Sequence, residues 1–121
     1  EDSYRIAMVD ARDIADVAAC VLTQAVDAHA HNTYNLCGPR GLLWADVAAA
    51  ISTACGRNIS ATMLGDADFY RRFGNSHVYL KQMQAYRAGC GEDVDNDIEV
   101  VTGSAPRSIE QFSLDHARAW H

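Results

Sequence analysis

Nowhere in this 121-residue chain do about 18 apolar residues run together, so no membrane-spanning helix is expected. The start has no basic region followed by an apolar stretch, so no retained signal peptide is expected. Positive charge is scarce. Lys and Arg total 10 against 16 Asp and Glu, a formal net charge of -6, and Lys81 is the single lysine. Such a surface repels a phosphate backbone, so nucleic acid is not an expected partner. The cysteines Cys20, Cys37, Cys55 and Cys90 are widely spaced and form no C-x-x-C pair. With abundant Val, Ala, Ile and Leu to form a core, they read as free thiols in a reducing cytoplasm. The glycine-rich stretch Gly38-Pro39-Arg40-Gly41 has neither G-x-G-x-x-G spacing nor a following Lys-Ser/Thr. A sharp turn is expected there, not a phosphate cradle.

What is present is a globular composition, 49% hydrophobic and 21% charged. The length suits one domain over residues 1–121, able to bury about two-thirds of its extended surface. The chain opens on Glu1 and not on Met, so a segment removed from upstream is expected.

Alternation over Tyr4, Ile6 and Met8 predicts a short strand ending at Asp10. Asp13 then suits a helix N-cap, with Asp16 at the capping-box position, for a helix from Ile14 to about Ala25. That helix would bury Ile14, Val17, Ala18, Val21 and Leu22. Residues 27–32 read as a loop and residues 33–37 as a second strand, stopped by Gly38-Pro39. A helix follows from Trp44 to Cys55 with Gly56 as its stop, then a third strand over residues 59–64. The expected fold class is therefore α/β: a small β-α-β-α-β unit with short parallel strands, followed by a mainly helical tail. In that tail Asp66 or Asp68 caps a helix to Phe73, Ser76 caps one from His77 to Ala88, and Ser108 caps a last one to Ala119.

Chemistry-bearing groups are few. His29-x-His31 lacks the further ligands that zinc needs and reads as a pair of solvent-facing loop histidines. His116 and His121 stand near the C-terminus, where positive charge suits a helix end. Asp93-x-Asp95-x-Asp97 resembles the start of a calcium loop, but Ile98 takes the sixth place and Ser104 the twelfth. A solvated acidic loop is expected over residues 92–99. Asp10, Arg12, Asp13 and Asp16 crowd the turn after the first strand, where capping and an Asp–Arg pair account for them. Tyr79, Leu80, Met83 and Tyr86 share one helical face and read as core or interface. No catalytic, cofactor-binding or metal-binding residue is assigned.

Three stretches carry a family resemblance. Val9-Asp10-Ala11-Arg12-Asp13-Ile14-Ala15-Asp16-Val17-Ala18 resembles a segment of NmrA-like proteins, atypical members of the short-chain dehydrogenase/reductase superfamily. The likeness continues through Thr33-Tyr34-Asn35-Leu36-Cys37-Gly38-Pro39 and the helix ending Ala54-Cys55-Gly56-Arg57. It returns in Val101-Thr102-Gly103-Ser104-Ala105-Pro106-Arg107-Ser108-Ile109-Glu110-Gln111-Phe112. The family comprises NAD(P)-dependent reductases and non-catalytic dinucleotide sensors, with an N-terminal Rossmann domain and a smaller C-terminal part that shapes the substrate cleft. The resemblance implies that this chain is that C-terminal, substrate-side part, lacking the cofactor loop. It implies no cofactor in this chain and NAD(P) in a full-length member. Asp13 would then cap a structural helix, and Gly38-Pro39 would turn near the cleft. The Tyr-x-x-x-Lys pair is missing, since Met83 stands four residues after Tyr79. Implied partners are the missing Rossmann domain or a second copy, and a small-molecule substrate. A stand-alone ligand-binding or interaction module descended from that part is the alternative.

Overall fold

A computed structural model describes residues 4–74 and 77–120. The proposed cap Ser76 and the terminal His121 lie outside the described residues. The β-α-β-α-β expectation is overturned: the described residues hold helices and no strand. One isolated antiparallel bridge, Ile6 with Leu42, is all that remains of it. The three alternating stretches are extended, yet their N–H groups find partners outside any ladder. Ala7 donates to the Gly91 carbonyl at 2.7 Å, Asn35 to the Asp97 carboxylate at 2.7 Å, and Ile59 to the Ser52 hydroxyl at 2.9 Å. Alternation reports half-burial of an extended segment, whereas a sheet also requires a neighbouring strand in register.

The helices are α1 (Ala11–Thr23), α2 (Val26–His29), α3 (Trp44–Cys55), α4 (Asp66–Phe73), α5 (His77–Arg87), α6 (Asp97–Thr102) and α7 (Ile109–Asp115), with a final 3-10 turn, Ala117–Trp120. The stretch 27–32 is thus not wholly a loop, because α2 makes one helical turn of it. The acidic run likewise ends in helix, with Ile98 of α6 buried as its anchor. Both ends of α3 fall where the sequence put them. Asp46 accepts from the Leu43 N–H at 2.9 Å, and Gly56 closes the helix in the left-handed region, φ 68°. Ser108 caps α7 by accepting from the Gln111 N–H, but α7 ends at Asp115, short of Ala119. α4 begins on uncapped Gly65, so neither Asp66 nor Asp68 is its cap.

The start of α1 differs by one turn from the expected position. Asp10, not Asp13, is the N-cap, accepting from the Arg12 N–H at 2.8 Å. Two aspartates three residues apart both satisfy the preference for a short acceptor at a helix start. The choice falls to Asp10 because Asp13 is engaged elsewhere.

Packing is in two parts. α1 lies on α6, and α3 lies on α7 and the final 3-10 turn. Val17 and Ile98 are buried in the first, Ala48 and Ala50 in the second, and Leu42 is buried in the bridge. Val17 and Ile98 each contribute roughly 1.5–3 kcal/mol by leaving water. The buried stripe of α1 is narrower than expected: Ile14 and Ala18 are exposed, and Leu22 is 83% exposed. Val26, Val100 and Leu114 are exposed as well. The accessible surface is 8210 Å², about 1,800 Å² above that typical of a monomer of this mass. No helix among the described residues is long and apolar enough to cross a membrane.

Candidate functional site

Two features stand out, an aspartate–arginine cluster that locks the helices and an aromatic groove beside it in sequence. In the cluster, the guanidinium of Arg12 meets Asp10 at 2.6 Å and Asp115 of α7 at 2.7 Å. Arg107, just before α7, donates through its main-chain N–H to Asp13 at 2.8 Å. Its guanidinium reaches both Asp13 and Asp16, the latter at 2.9 Å. Asp10 and Asp13 are buried and Asp16 is exposed. The four charged residues of the first turn therefore do more than cap a helix: they fasten α1 to the segment entering α7.

Every positive group here is matched. Arg40 likewise pairs with Glu110 at 2.6 Å and faces Asp46 at 3.7 Å, so the glycine-rich turn holds no free cation for an anion. The hydrogen bond from Arg12 holds the Asp10 carboxyl below the ordinary carboxylate range, and Arg12 does the same for Asp115. Glu110 is lowered first by its own main-chain N–H at the start of α7, then by Ser108 and Arg40. Groups with depressed folded-state pKa values stabilise the fold fully above their unfolded values, about 4. That contribution is lost as pH falls through the lower folded values. Urea midpoints should therefore be flat from pH 7 to about 5 and fall below about pH 4. Asp10→Asn should flatten that fall, and an acid limb identical to the parent chain's would refute the assignment.

The groove is built by α3, the stretch after it, α4 and α5. Its feet are fixed. Ser52 Oγ accepts from the Ile59 N–H at 2.9 Å and donates to the Ala48 carbonyl at 2.7 Å, while Gly91 accepts from Ala7 at the far end. Beside these feet lies an open groove of about 390 Å³, with Tyr4, Trp44, Met63, Phe69, Phe73, Leu80 and Met83 among its walls. That volume and an apolar, aromatic lining are usual for small-molecule sites. Tyr86 stacks on Tyr4 with centroids 5.8 Å apart, and Phe69 packs on Phe73 at 4.9 Å. Asp66 and Arg87 pair at 3.0 Å along its edge.

The other sequence candidates do not assemble into a site. His29 is half-buried, not solvent-facing, and both ring nitrogens are engaged, with Tyr34 at 2.8 Å and Gln24 at 2.9 Å. His31 is exposed, and His116 is exposed against the Phe112 ring. Asp97 is taken by Asn35, and the main chain of Asp95 donates to Cys37 Sγ at 2.9 Å, so the acidic stretch is tied to the fold. Among the described residues no group of three or more His, Cys, Asp or Glu is placed to hold a metal ion. All four cysteines are free thiols. Of the α5 face, Met83 lines the groove and Tyr86 backs Tyr4, whereas Tyr79 is exposed. The groove itself was missed in the sequence.

The fold matches part of several solved structures. Over 95% of this chain and 41% of that one, it superposes on the Citrobacter sp. triphenylmethane reductase complexed with NADP(H), at a TM-score of 0.72 and 20% identity. It also matches a nucleoside-diphosphate-sugar epimerase from Staphylococcus aureus, at a TM-score of 0.77 and 18% identity, over 92% of this chain and 40% of that one. The fold is that of a portion of larger enzymes. In sequence, the chain is 31% identical over 128 residues to an NAD(P)H azoreductase of Xenophilus azovorans. It is 28% identical over 123 residues to an uncharacterized oxidoreductase of Bacillus subtilis. Each match takes in 96% of this chain and 42% of the relative, so the chain spans well under half the length of these relatives. No protein-family model matches.

Proposed function

We propose that this chain is the C-terminal, substrate-side portion of an NmrA-like, NAD(P)-dependent oxidoreductase. In this reading the aromatic groove forms a wall of the substrate cleft, and the nicotinamide cofactor is gripped by the rest of the protein. The single observation that carries it is the coverage: nearly all of this chain matches 42% of an NAD(P)H azoreductase and of an oxidoreductase. The surplus of exposed surface supports it, because about 1,800 Å² exceeds the roughly 800 Å² that one partner buries in a standard interface. The bare stripe of Ile14, Leu22 and Val26 on α1 and α2 is where the remainder would pack.

Asp13 and Gly38 are framework in this reading, not hydride chemistry. Titrated by calorimetry with NAD, NADH, NADP and NADPH, the 121-residue chain should show no saturable micromolar binding, since it lacks a glycine loop opening a helix. Reading the gene upstream of the Glu1 codon is the decisive companion. An in-frame G-x-x-G-x-x-G strand-turn-helix is expected, and a start codon immediately before Glu1 would overturn the assignment. So would micromolar cofactor binding by the chain alone.

A further inference from the structure

The side chains of Trp44, Tyr4 and Met83 form a series of donors that ends on sulfur. The Trp44 indole N–H donates to the Tyr4 hydroxyl oxygen at 3.4 Å, longer than an ordinary N–H···O bond. The Tyr4 hydroxyl in turn donates to the thioether of Met83 at 3.1 Å. A thioether is a weak acceptor, so the buried Tyr4 forms less than a full hydrogen bond. Three separate pieces of the chain meet there: the extended stretch before α1, the first residue of α3 and the body of α5. Met83 is half-buried and borders the open groove, so a small solute in the groove can meet its sulfur. The other two methionines lack this arrangement. Among the described residues no donor reaches the sulfur of Met8 or of Met63, and Met63 is 46% exposed.

Oxidation of a methionine ordinarily disrupts packing, because a polar oxygen appears among apolar atoms. At Met83 a donor already stands at the sulfur. We propose that Met83 is a modification site, oxidised to the sulfoxide by a hydroperoxide entering the groove, with the Tyr4 hydroxyl holding the new oxygen. The sulfur lone pair attacks one peroxide oxygen, and the S–O bond forms as the O–O bond breaks. Sulfur loses two electrons and the peroxide gains them. The departing oxygen takes the proton left on the transferred one, giving water or an alcohol. The unbranched Met83 side chain then turns to present its oxygen to Tyr4. With a full bond made to oxygen, the polarised Tyr4 hydroxyl becomes a better acceptor for the Trp44 N–H, since hydrogen bonds in series strengthen one another. Oxidation thus fastens α5 to Tyr4 and to α3 instead of loosening it. None of this depends on the function proposed above.

The test compares the 121-residue chain before and after treatment with hydrogen peroxide. Peptide mass mapping follows sulfoxide at Met8, Met63 and Met83, and Met83 should be converted along with the exposed Met63. Nuclear magnetic resonance follows the indole N–H cross-peak of Trp44, distinguished from that of Trp120 by Trp120→Phe. That signal should move downfield in step with conversion of Met83. Stability is read in a chain carrying Met8→Leu and Met63→Leu, which keeps one methionine at little change in volume. Oxidation should leave its urea midpoint unchanged or higher. With Tyr4→Phe added, oxidation should lower the midpoint by about 0.5 M, the worth of one net hydrogen bond at an ordinary urea slope. A Met83 that stays reduced while Met63 is fully converted would overturn the proposal on the parent chain alone. So would a Trp44 signal indifferent to conversion of Met83, or an equal loss of midpoint with and without the Tyr4 hydroxyl.

Discussion

Gly38→Ala is expected to be the most damaging single methyl group that can be added to this chain. A Cβ built at Gly38 lies 2.0 Å from the main-chain oxygen of Met8 and 3.0 Å from its carbonyl carbon. Main-chain atoms cannot rotate aside as a side chain can, so the two extended segments must part. Parting them breaks the Gly38 N–H to Ala7 carbonyl bond at 3.3 Å and disturbs the neighbouring Ile6–Leu42 bridge. The cost should be roughly 3 kcal/mol or more, the upper range for overpacking where nothing can yield. Gly65→Ala is the control, since a Cβ there meets nothing within 4 Å. Urea melts of the two variants should show a large fall in midpoint for the first and little change for the second. A Gly38→Ala midpoint within experimental error of the parent would show that the close approach of residues 8 and 38 is not maintained.

Asp13→Ala should come next. The carboxylate is buried and accepts from both the main-chain N–H and the guanidinium of Arg107, so its loss strands two donors together. Leaving buried polar groups without partners, and losing a charge-assisted bond, should cost about 2–4 kcal/mol. Asp16→Ala, removing an exposed partner of the same arginine, should cost about 1 kcal/mol or less. Asp13→Asn keeps an acceptor for the main-chain N–H and should fall between them. Chemical denaturation with midpoint and slope fitted separately checks the order. If Asp16→Ala proved the more harmful, the cluster would be organised around the surface pair and not around Asp13.

The order of these two effects also shows what a sequence conveys and what it withholds. α3 was legible because the signals that bound it are local: a helix-forming run from Trp44 and Gly56 after its end. Ser108 was legible for the same reason. Asp13 was misread because its partner stands 94 residues away, and short-range capping rules cannot see Arg107. The strands failed on another count. Alternation around Tyr4, Ile6 and Met8 is real, and Tyr4 is buried, but the hydrogen-bonding partners of that stretch are loop groups at Gly91 and Leu42. Likewise the apolar width of α1 foretold more burial than α6 alone provides. The groove was hidden because Tyr4, Trp44, Phe69 and Met83 are dispersed over some eighty positions. Only the α5 spacing of Met83 and Tyr86 hinted at it, and that spacing alone reads as ordinary core.

The two fixed feet at Ser52–Ile59 and Ala7–Gly91 separate the chain's architecture into a frame and an interchangeable panel. Met63, Phe69, Phe73, Leu80 and Met83 stand on one excursion between them, while Tyr4, Trp44 and the ion-paired cluster that fastens α1 to α7 belong to the frame. A change of side chain, or even of length, within the excursion can therefore alter what the groove admits without loosening the frame. Surface loops tolerate such length changes at modest entropic cost. Chains with this frame can diverge in ligand preference by redrawing a single stretch of some thirty residues, and a designer wishing to redirect this one would begin there.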